Sequence, residues 1–431
     1  MGIEPEPDAA AVVDIRPWRL VVARPAWEMA LRSLLIKPDV CATGNLRWNT
    51  THTSRELLIE AVTINGQAPT GQARLPLADW FVLCVASANE SNAAMAALAN
   101  RFQPKPGQLL VIVRFDARNR TRWDAVITKE GELTPLSEIH IVGSEMLKLS
   151  RHDDISPQLP QWVSRRWSRT AGALGEDVVR RLRKSTVTLV AAGRNGSALA
   201  LQFAALGVRR LRIIDPDILA LENLDAMPGL AARDVGWLKL TALGRRLRQF
   251  RPDLKLSLLP KPVTDAEAVK LLHERTDVLV TAVGNDTPRL AAAIIARQTV
   301  TVHLDVGTSI QRTADGNSSI TGDIRLLLPG EGCVACVGGL ANLKDTLDDL
   351  HAPPGSLRRR LRPSWHEERQ GSLISINAIT VGAGVQAWLD LLGGRLRSSF
   401  WQRIAWIPGR GLDCAATAVG SADDCRFCHP E

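Results

Sequence analysis

Apolar residues recur in short unbroken runs through the second half of the chain, and the breaks between them carry glycine and charge. The stretch "VTLVAAGRNGSALALQFAALGVRRLRIIDPD", Val187 to Asp217, passes from an apolar run to a glycine-containing turn. A helical spacing follows, then a second apolar run that ends in acid. Continuous apolar runs bounded by turns read as buried strands, and a 3.6-residue period reads as a covering helix. "TVTLVAA", "LRIID", "DVLVTAV" and "VTVHLDV" are four such strands with helices between them. That alternation predicts an α/β fold built on a doubly wound, mainly parallel sheet.

The first part of the chain has a different pattern. "WEMALRSLLI" reads as an amphipathic helix and "NAAMAALANRF" as a second; "RELLIEAVTI", "GQLLVIVRF" and "RWDAVI" read as strands. Residues 1–150 are expected to form a smaller α+β domain. A Pro-rich polar break, "RHDDISPQLPQW", supplies a linker over 151–163, and 164–431 form the larger domain. "HAPPGSLRRRLRPSWHEERQG", His351 to Gly371, reads as an exposed loop or crossover.

The turn after the first strand of the larger domain has the chemistry of a phosphate cradle. Gly193 and Gly196 sit between strand and helix, where backbone N–H groups and a helix N-terminus can face an anion. Asp215 lies about twenty residues on, where a Rossmann unit places its ribose-binding carboxylate. Ala191 stands where the fingerprint has its first glycine. Beyond Asp215 come Asp217, Glu222 and Asn223, and "DVGWLKLTAL" places Lys239 at a helix start. A point cation there suits triphosphate oxygens, which a plain dinucleotide site does not need.

Seven cysteines occur, and four form the pairs "CVAC" (Cys333, Cys336) and "CRFC" (Cys425, Cys428). Two such pairs can complete a tetrahedral zinc site of four cysteines, structural because no position is left for water. The rival reading is redox chemistry, which does not ordinarily use two distant pairs in one chain. Cys41 and Cys84 lie in apolar contexts and read as buried structural residues. Cys414 reads as part of a small-residue loop, and His52, His140 and His152 as surface or loop histidines.

Apolar residues make up 45% of the chain and charged residues 23%, which fits a globular protein. The net charge of +8 is scattered through Arg-rich helices. A solvated basic face, an acidic protein partner or nucleotide phosphates would account for it; no aromatic-interleaved basic motif argues for nucleic acid. No run approaches the ~20 apolar residues of a membrane span. The N-terminus is acidic and Pro-rich without a leader pattern, so a cytoplasmic protein is expected.

From about Ser164 onward the chain resembles the ThiF/MoeB/HesA family, the bacterial relatives of ubiquitin-activating enzymes. The resemblance is carried by "VAAGRNGS", "IIDPDILALENLDAM", "DVGWLKL", "VGNDTPRLAAA", "HLDVGTSI", "GDIRLLLPGEGCVACVGG" and "RQGSLISINAITVGAGVQAWLDLL", in the family's order. It implies ATP- and Mg2+-dependent adenylation of the C-terminal glycine of a ubiquitin-like or sulfur-carrier protein. It also implies a structural Zn2+. Gly193, Arg194 and Gly196 would line the phosphate loop, Asp215 with Asp217 the ribose side, and Asn223 and Lys239 the phosphates. Arg169 would reach a neighbour's triphosphate across a homodimer. The family's magnesium aspartate is Gly284 here, followed by Asn285 beside the nucleotide and Asp286, which could serve from one residue further on. Ala226 stands where relatives commonly place arginine.

These departures leave a catalytically silent scaffold as the alternative, with an NAD-dependent oxidoreductase a distant third. No cysteine lies between Val337 and Asp413, where a family thiol would sit, so the acyl-adenylate would pass to another protein's thiol. The N-terminal segment resembles the start of JAB/MPN metallopeptidase domains. Arg114 and Asp116 stand near the place of their His-x-His pair, implying a metal-free binding domain.

Overall fold

The computed structural model describes residues 17–36, 41–50, 55–60, 63–65, 80–87, 110–115, 123–129, 132–150, 160–227, 229–312, 318–351 and 373–428. The N-terminal sheet comprises β1 (Trp18–Ala23), β2 (Cys41–Thr50), β3 (Arg55–Ile59), β4 (Thr63–Asn65), β5 (Trp80–Ser87), β6 (Leu110–Phe115), β7 (Trp123–Lys129), β8 (Glu132–Val142) and β9 (Leu147–Ser150), with α1 (Arg24–Ile36) after β1. Its order is β1-β3-β2-β5-β6-β7-β8-β9, and parallel pairing of β8 with β1 returns the path to its start. Leu20 to Ala23 are all buried because β1 is flanked by β3 on one side and β8 on the other. A strand so enclosed reads as a continuous apolar run, without the alternation of a half-exposed one. The predicted helix "NAAMAALANRF" lies outside the described residues.

The second sheet has the order β12-β11-β10-β13-β14-β15-β16-β17. Five strands are parallel: β10 (Thr186–Val190), β11 (Arg210–Ile214), β12 (Lys255–Leu259), β13 (Val278–Thr281) and β14 (Val302–Arg312). Three antiparallel strands extend it: β15 (Ser318–Leu327), β16 (Phe400–Ile407) and β17 (Gly411–Ala418). All five residues of β10 are buried. The chain leaves β10 for β11 on one side, while β13 lies on the other. The sheet therefore has its topological switch point at the carboxyl end of β10, where ligands bind in open α/β sheets.

Helices cover the sheet: α2 (Gln161–Arg166), α3 (Ser168–Leu174), α4 (Glu176–Lys184), α5 (Arg194–Leu206), α6 (Lys239–Phe250), α7 (Ala266–His273), α8 (Asp286–Gln298), α9 (Leu343–His351) and α10 (Ile374–Leu392). Of the stretch read as a crossover, only His351 is described, and it ends α9. α10 buries Ile376, Val381, Val385 and Trp388, and Trp388 meets Phe203 of α5 edge to face at 5.3 Å. Such an aromatic pair adds about 1 kcal/mol to its area burial. No helix among the described residues is long and apolar enough to cross a membrane.

The two sheets share one hydrophobic cluster. Val21, Ala23, Leu58, Val142 and Met146 join Val187, Leu189, Phe203 and Trp388. Polar ties reinforce the junction: Lys148 Nζ donates to Asp277 Oδ2 at 2.8 Å, and the N–H of Glu145 to the carbonyl of Leu391 at 2.7 Å. His140 lies near this junction. The surface or loop position expected for it is corrected: it is 5% exposed on β8, its Nε2 is 3.0 Å from Glu138 Oε2, and burial pushes its pKa down. His52 and His152 lie outside the described residues.

Candidate nucleotide site and cysteine cluster

The phosphate turn follows β10 directly. Ala191 takes φ +80°, the left-handed conformation that the fingerprint's first glycine would take. For an L-residue with a Cβ this costs roughly 1–2 kcal/mol. Gly193 is extended (φ −70°, ψ −156°) and caps α5 without a side-chain hydrogen bond. A Cβ at Gly193 would meet nothing, whereas one at Gly196 would collide with the Ala191 carbonyl. Gly196 thus permits close seating of the helix on the turn. Gly193 leaves open space over the first-turn N–H groups, the arrangement that binds anions.

Asp215, just past β11, is 3% exposed. Its Oδ2 accepts the Ala192 N–H at 2.6 Å and its Oδ1 the Asp217 N–H at 2.8 Å. Burial raises its pKa, against the pull of the Lys239 charge and of these two donors. Lys239 begins α6; its Nζ donates to Asp217 Oδ2 at 2.8 Å and its N–H to the Asp217 carbonyl at 2.9 Å. Arg194 reaches from the turn to the Glu222 carbonyl (3.2 Å) and to Asp225 (3.5 Å). Asn223 Oδ1 accepts the Ala220 N–H at 3.0 Å and shapes the short turn there. Gly193, Arg194, Gly196, Asp215, Asp217, Asn223 and Lys239 are therefore connected around the carboxyl ends of β10 and β11.

The structure gives the three other predicted residues different surroundings. Asn285 is exposed and caps α8 without a side-chain bond. Asp286 has both oxygens engaged: Oδ1 by Arg289 Nη1 at 2.7 Å, Oδ2 by the Ala341 N–H at 2.6 Å. Arg169 is exposed on α3. Ala226, at the place of the family's arginine, is buried.

Sequence reasoning missed the ionic cluster beneath Asp286. Fully buried Asp305 receives Arg289 Nε at 3.0 Å, Arg325 Nη1 at 2.8 Å and Thr281 Oγ1 at 2.7 Å. Burial alone would raise its pKa, but Arg289 and Arg325 hold the carboxyl at about 2. Beside it, burial holds His303 at about 4. The available signal was an acid inside the apolar "HLDV" and an arginine inside the apolar "DIRLLL", two adjacent strands. Asn195 was also missed. It is 8% exposed in the phosphate turn, with Nδ2 3.3 Å from Thr308 Oγ1, which donates to Asn377 Oδ1 at 2.9 Å.

The four paired cysteines converge. Cys333 Sγ lies 3.8 Å from Cys336 and 3.6 Å from Cys425, and Cys336 lies 3.5 Å from Cys428. Four sulfurs at a Zn–S distance of about 2.3 Å sit about 3.8 Å apart at tetrahedral corners, so the set fits zinc. Each pair closes a tight turn, with Cys336 N–H on the Cys333 carbonyl and Cys428 N–H on the Cys425 carbonyl, both at 3.0 Å. Arg297 Nη1 and the Ala422 N–H donate to Cys428 and Cys336 sulfurs at 3.4 Å, as they would to thiolates. Cys414 is not in a loop as expected: it lies exposed on β17, opposite Ile404. The side chains of Cys41 and Cys84 lie outside the described residues, as does Asp116; Arg114 is on β6.

A phosphate turn at a switch point, backed by a buried acid and a lysine, defines an α/β nucleotide-binding protein. The chain belongs to the ThiF family, whose model matches residues 167–385, slightly more than half of it. It is 31% identical over 125 residues to the sulfur carrier protein ThiS adenylyltransferase of Escherichia coli, covering 28% of this chain and 49% of that protein. It is 28% identical over 114 residues to tRNA threonylcarbamoyladenosine dehydratase 2 of Saccharomyces cerevisiae, covering 26% of each. The chain thus spans between a quarter and a half of the length of these relatives. Among solved structures it is similar to E. coli MccB, with a TM-score of 0.48, 14% identity and coverage of 61% of this chain and 74% of that one.

Proposed function

We propose that this protein adenylates the C-terminal glycine of a ubiquitin-like or sulfur-carrier protein at the expense of ATP. The observation that carries the reading is the linked set Ala192–Asp215–Asp217–Lys239 at the switch point. The glycine carboxylate oxygen would attack the α-phosphorus. The new C–O–P linkage forms as the α–β P–O bond breaks, and pyrophosphate leaves. Such a transfer needs alignment and cationic stabilisation more than a side-chain nucleophile. The N–H groups after Gly193 would cradle the phosphates with Arg194. Asp215 and Asp217 would orient the ribose with Asn285 nearby, and Lys239 with Asn223 would stabilise charge on departing pyrophosphate. In support of this role, Lys239 is paired with an Asp217 carboxylate that is half exposed and could exchange it for phosphate.

Mg2+ would be held by the phosphates and by Asp286, and Zn2+ by the four cysteines as a structural ion. Arg169 would act from a second copy of the chain in a homodimer, and the product would pass to the thiol of a downstream acceptor. Residues 1–150 would bind the partner as a metal-free JAB/MPN-like domain, with 164–431 the adenylation domain.

One observation favours the silent-scaffold reading: Gly284 carries no carboxylate, and Asp286 is held by Arg289 and Ala341. Exchange of radiolabelled pyrophosphate into ATP, run with ubiquitin-like proteins ending in Gly and with tail-truncated controls, separates the two. Tail-dependent exchange supports adenylation. Binding of nucleotide or of the ubiquitin-like protein without exchange supports the scaffold, and absence of binding to either overturns both.

A further inference from the structure

The end of the second sheet opposite the phosphate turn is strongly basic and carries exposed aromatic rings. Trp167 is buried, with its Nε1 on the Ala205 carbonyl at 2.8 Å, and three guanidinium groups surround its ring. Arg166, Arg183 and Arg251 lie 5.2, 4.9 and 4.8 Å from its centroid. Arg183 also covers Trp162 at 5.2 Å, and Trp162 is 52% exposed. Arg166 donates to the carbonyl of Phe250, which is 41% exposed. The patch continues onto the amino ends of β11 and β12. Arg210 donates to the Lys184 carbonyl at 3.3 Å, and Lys255, in register with Arg210, donates its N–H to the Arg209 carbonyl. Lys184, Arg209, Arg210 and Lys255 are all exposed.

Four segments, around residues 162–167, 183–184, 209–210 and 250–255, thus bring cations and planar rings together. The sequence reading found no interleaved basic motif because the interleaving exists only after folding. The acid facing Arg183 is Asp253, and Arg251 already holds it with bonds of 2.8 and 2.9 Å. Burial lowers the pKa of Arg183, and the charges of Arg251, Arg209 and Arg166 lower it further against the opposing Asp253. So much like charge repels itself in the free protein and is relieved by a polyanion.

We propose that this surface binds single-stranded nucleic acid, with phosphates on Arg209, Arg210 and Lys255 and bases stacked on Trp162 and Phe250. An acidic protein face would satisfy the cations, but carboxylates alone leave the exposed Phe250 ring and the exposed Trp162 ring beside Arg183 without stacking partners. Alternating planar cations and aromatic faces are what an unpaired strand requires. The patch lies at the amino ends of strands whose carboxyl ends carry the phosphate turn, about 16 Å away over the five residues of β10. Occupancy of one site leaves the other open, and the proposal stands apart from the adenylation reading.

The test is fluorescence anisotropy of the full chain with a labelled single-stranded oligonucleotide of about 15 nucleotides, across a salt series. We expect binding that weakens steeply with salt. Arg209→Glu with Lys255→Glu should weaken it about tenfold, while the remote pair Lys344→Glu with Arg410→Glu changes it less than about twofold. Trp162→Ala should weaken binding to the oligonucleotide but not to an abasic strand of equal length. Equal loss from the remote pair, equal binding of abasic and base-bearing strands, or tighter binding of a poly-glutamate peptide each overturns the proposal. Arg209→Gln with Lys255→Gln, checked by circular dichroism, guards against misfolding of the reversal. Pyrophosphate exchange should be unchanged in all these variants.

Discussion

The carbonyl oxygen of Ala191 occupies the space that a side chain at Gly196 would need, while Ala191 itself is held at φ +80°. The phosphate turn therefore keeps the glycine that allows close seating of α5 and lacks the one that relieves backbone strain. Ala191→Gly should stabilise the protein by about 1 kcal/mol, after the added unfolded-state entropy of glycine offsets part of the relief. Urea denaturation of the two proteins measures this, and an unchanged or lower midpoint would mean that the turn is not strained.

Lys239→Met should leave stability within about 0.5 kcal/mol, because its Asp217 partner is half exposed and can turn to water. Pyrophosphate exchange should fall by about a hundredfold or more, the scale of losing one preorganised charge at the reacting phosphates. Lys239→Arg should recover part of it. A full rate in Lys239→Met would remove the residue from the chemistry.

Gly284 is exposed, and a Cβ there meets no neighbour. Gly284→Asp should therefore fold normally and place a carboxylate at the position that the family uses for magnesium. We expect an increase in exchange of about tenfold with a lower magnesium requirement. A fall in exchange would show that the site works with glycine and is obstructed by the acid.

One zinc per chain should be found by elemental analysis, and Cys336→Ser or strong chelation should remove it and lower the melting temperature. Cys414→Ala, on an exposed strand outside the cluster, should change neither. The readout is metal content and melting rather than turnover. Zinc retained in Cys336→Ser would contradict a four-sulfur site.

The buried pair His303 and Asp305 contributes to the response to acid, together with buried His140. Both folded-state pKa values lie below the ordinary ones: His303 falls from 6.5 to about 4, and Asp305 from 3.8 to about 2. The unfolded chain then binds more protons, so stability is lost as pH falls, first through the histidine between about pH 6.5 and 4, then through the aspartate below about pH 4. The histidine step is about 3 kcal/mol and the aspartate step about 2 kcal/mol. Urea midpoints against pH should show both steps, and His303→Gln should reduce the upper one, leaving the part that belongs to His140. A profile that keeps the upper step undiminished would assign it to another group.

The strands β10, β11, β13 and β14 were legible as apolar runs because a parallel strand covered on both faces leaves no alternation to misread. The strand, turn and helix around Gly193 were legible because their spacing is local, and Asp215 and Lys239 are brought beside that turn by the pairing of β11 with β10. The cysteine pairs carried their own signal, since each pair is a local turn. β12 was passed over because "KLSLL" is short, with Lys255 and Ser257 breaking the apolar run. The antiparallel extension β15–β17 was passed over because, although β14–β15 and β16–β17 are local hairpins, β15 joins β16 across roughly eighty residues. His140 was misplaced because its burial comes from β8 pairing inside the first sheet, beside the junction with the second, which no window around residue 140 reveals.

What the sequence by itself determined was the class of fold, the strand, turn and helix around Gly193, and the two cysteine pairs, each a local turn. Each follows from residues close enough along the chain for period and spacing to fix their geometry. Only the tertiary structure decided that Asp286 accepts the Ala341 N–H, that Asp305 joins two arginines, that the two cysteine pairs converge, and that Trp162 faces a basic surface. Those contacts close loops of many residues, and their geometry is set by how helices and strands from distant segments stack, a matter of packing that a linear pattern does not encode.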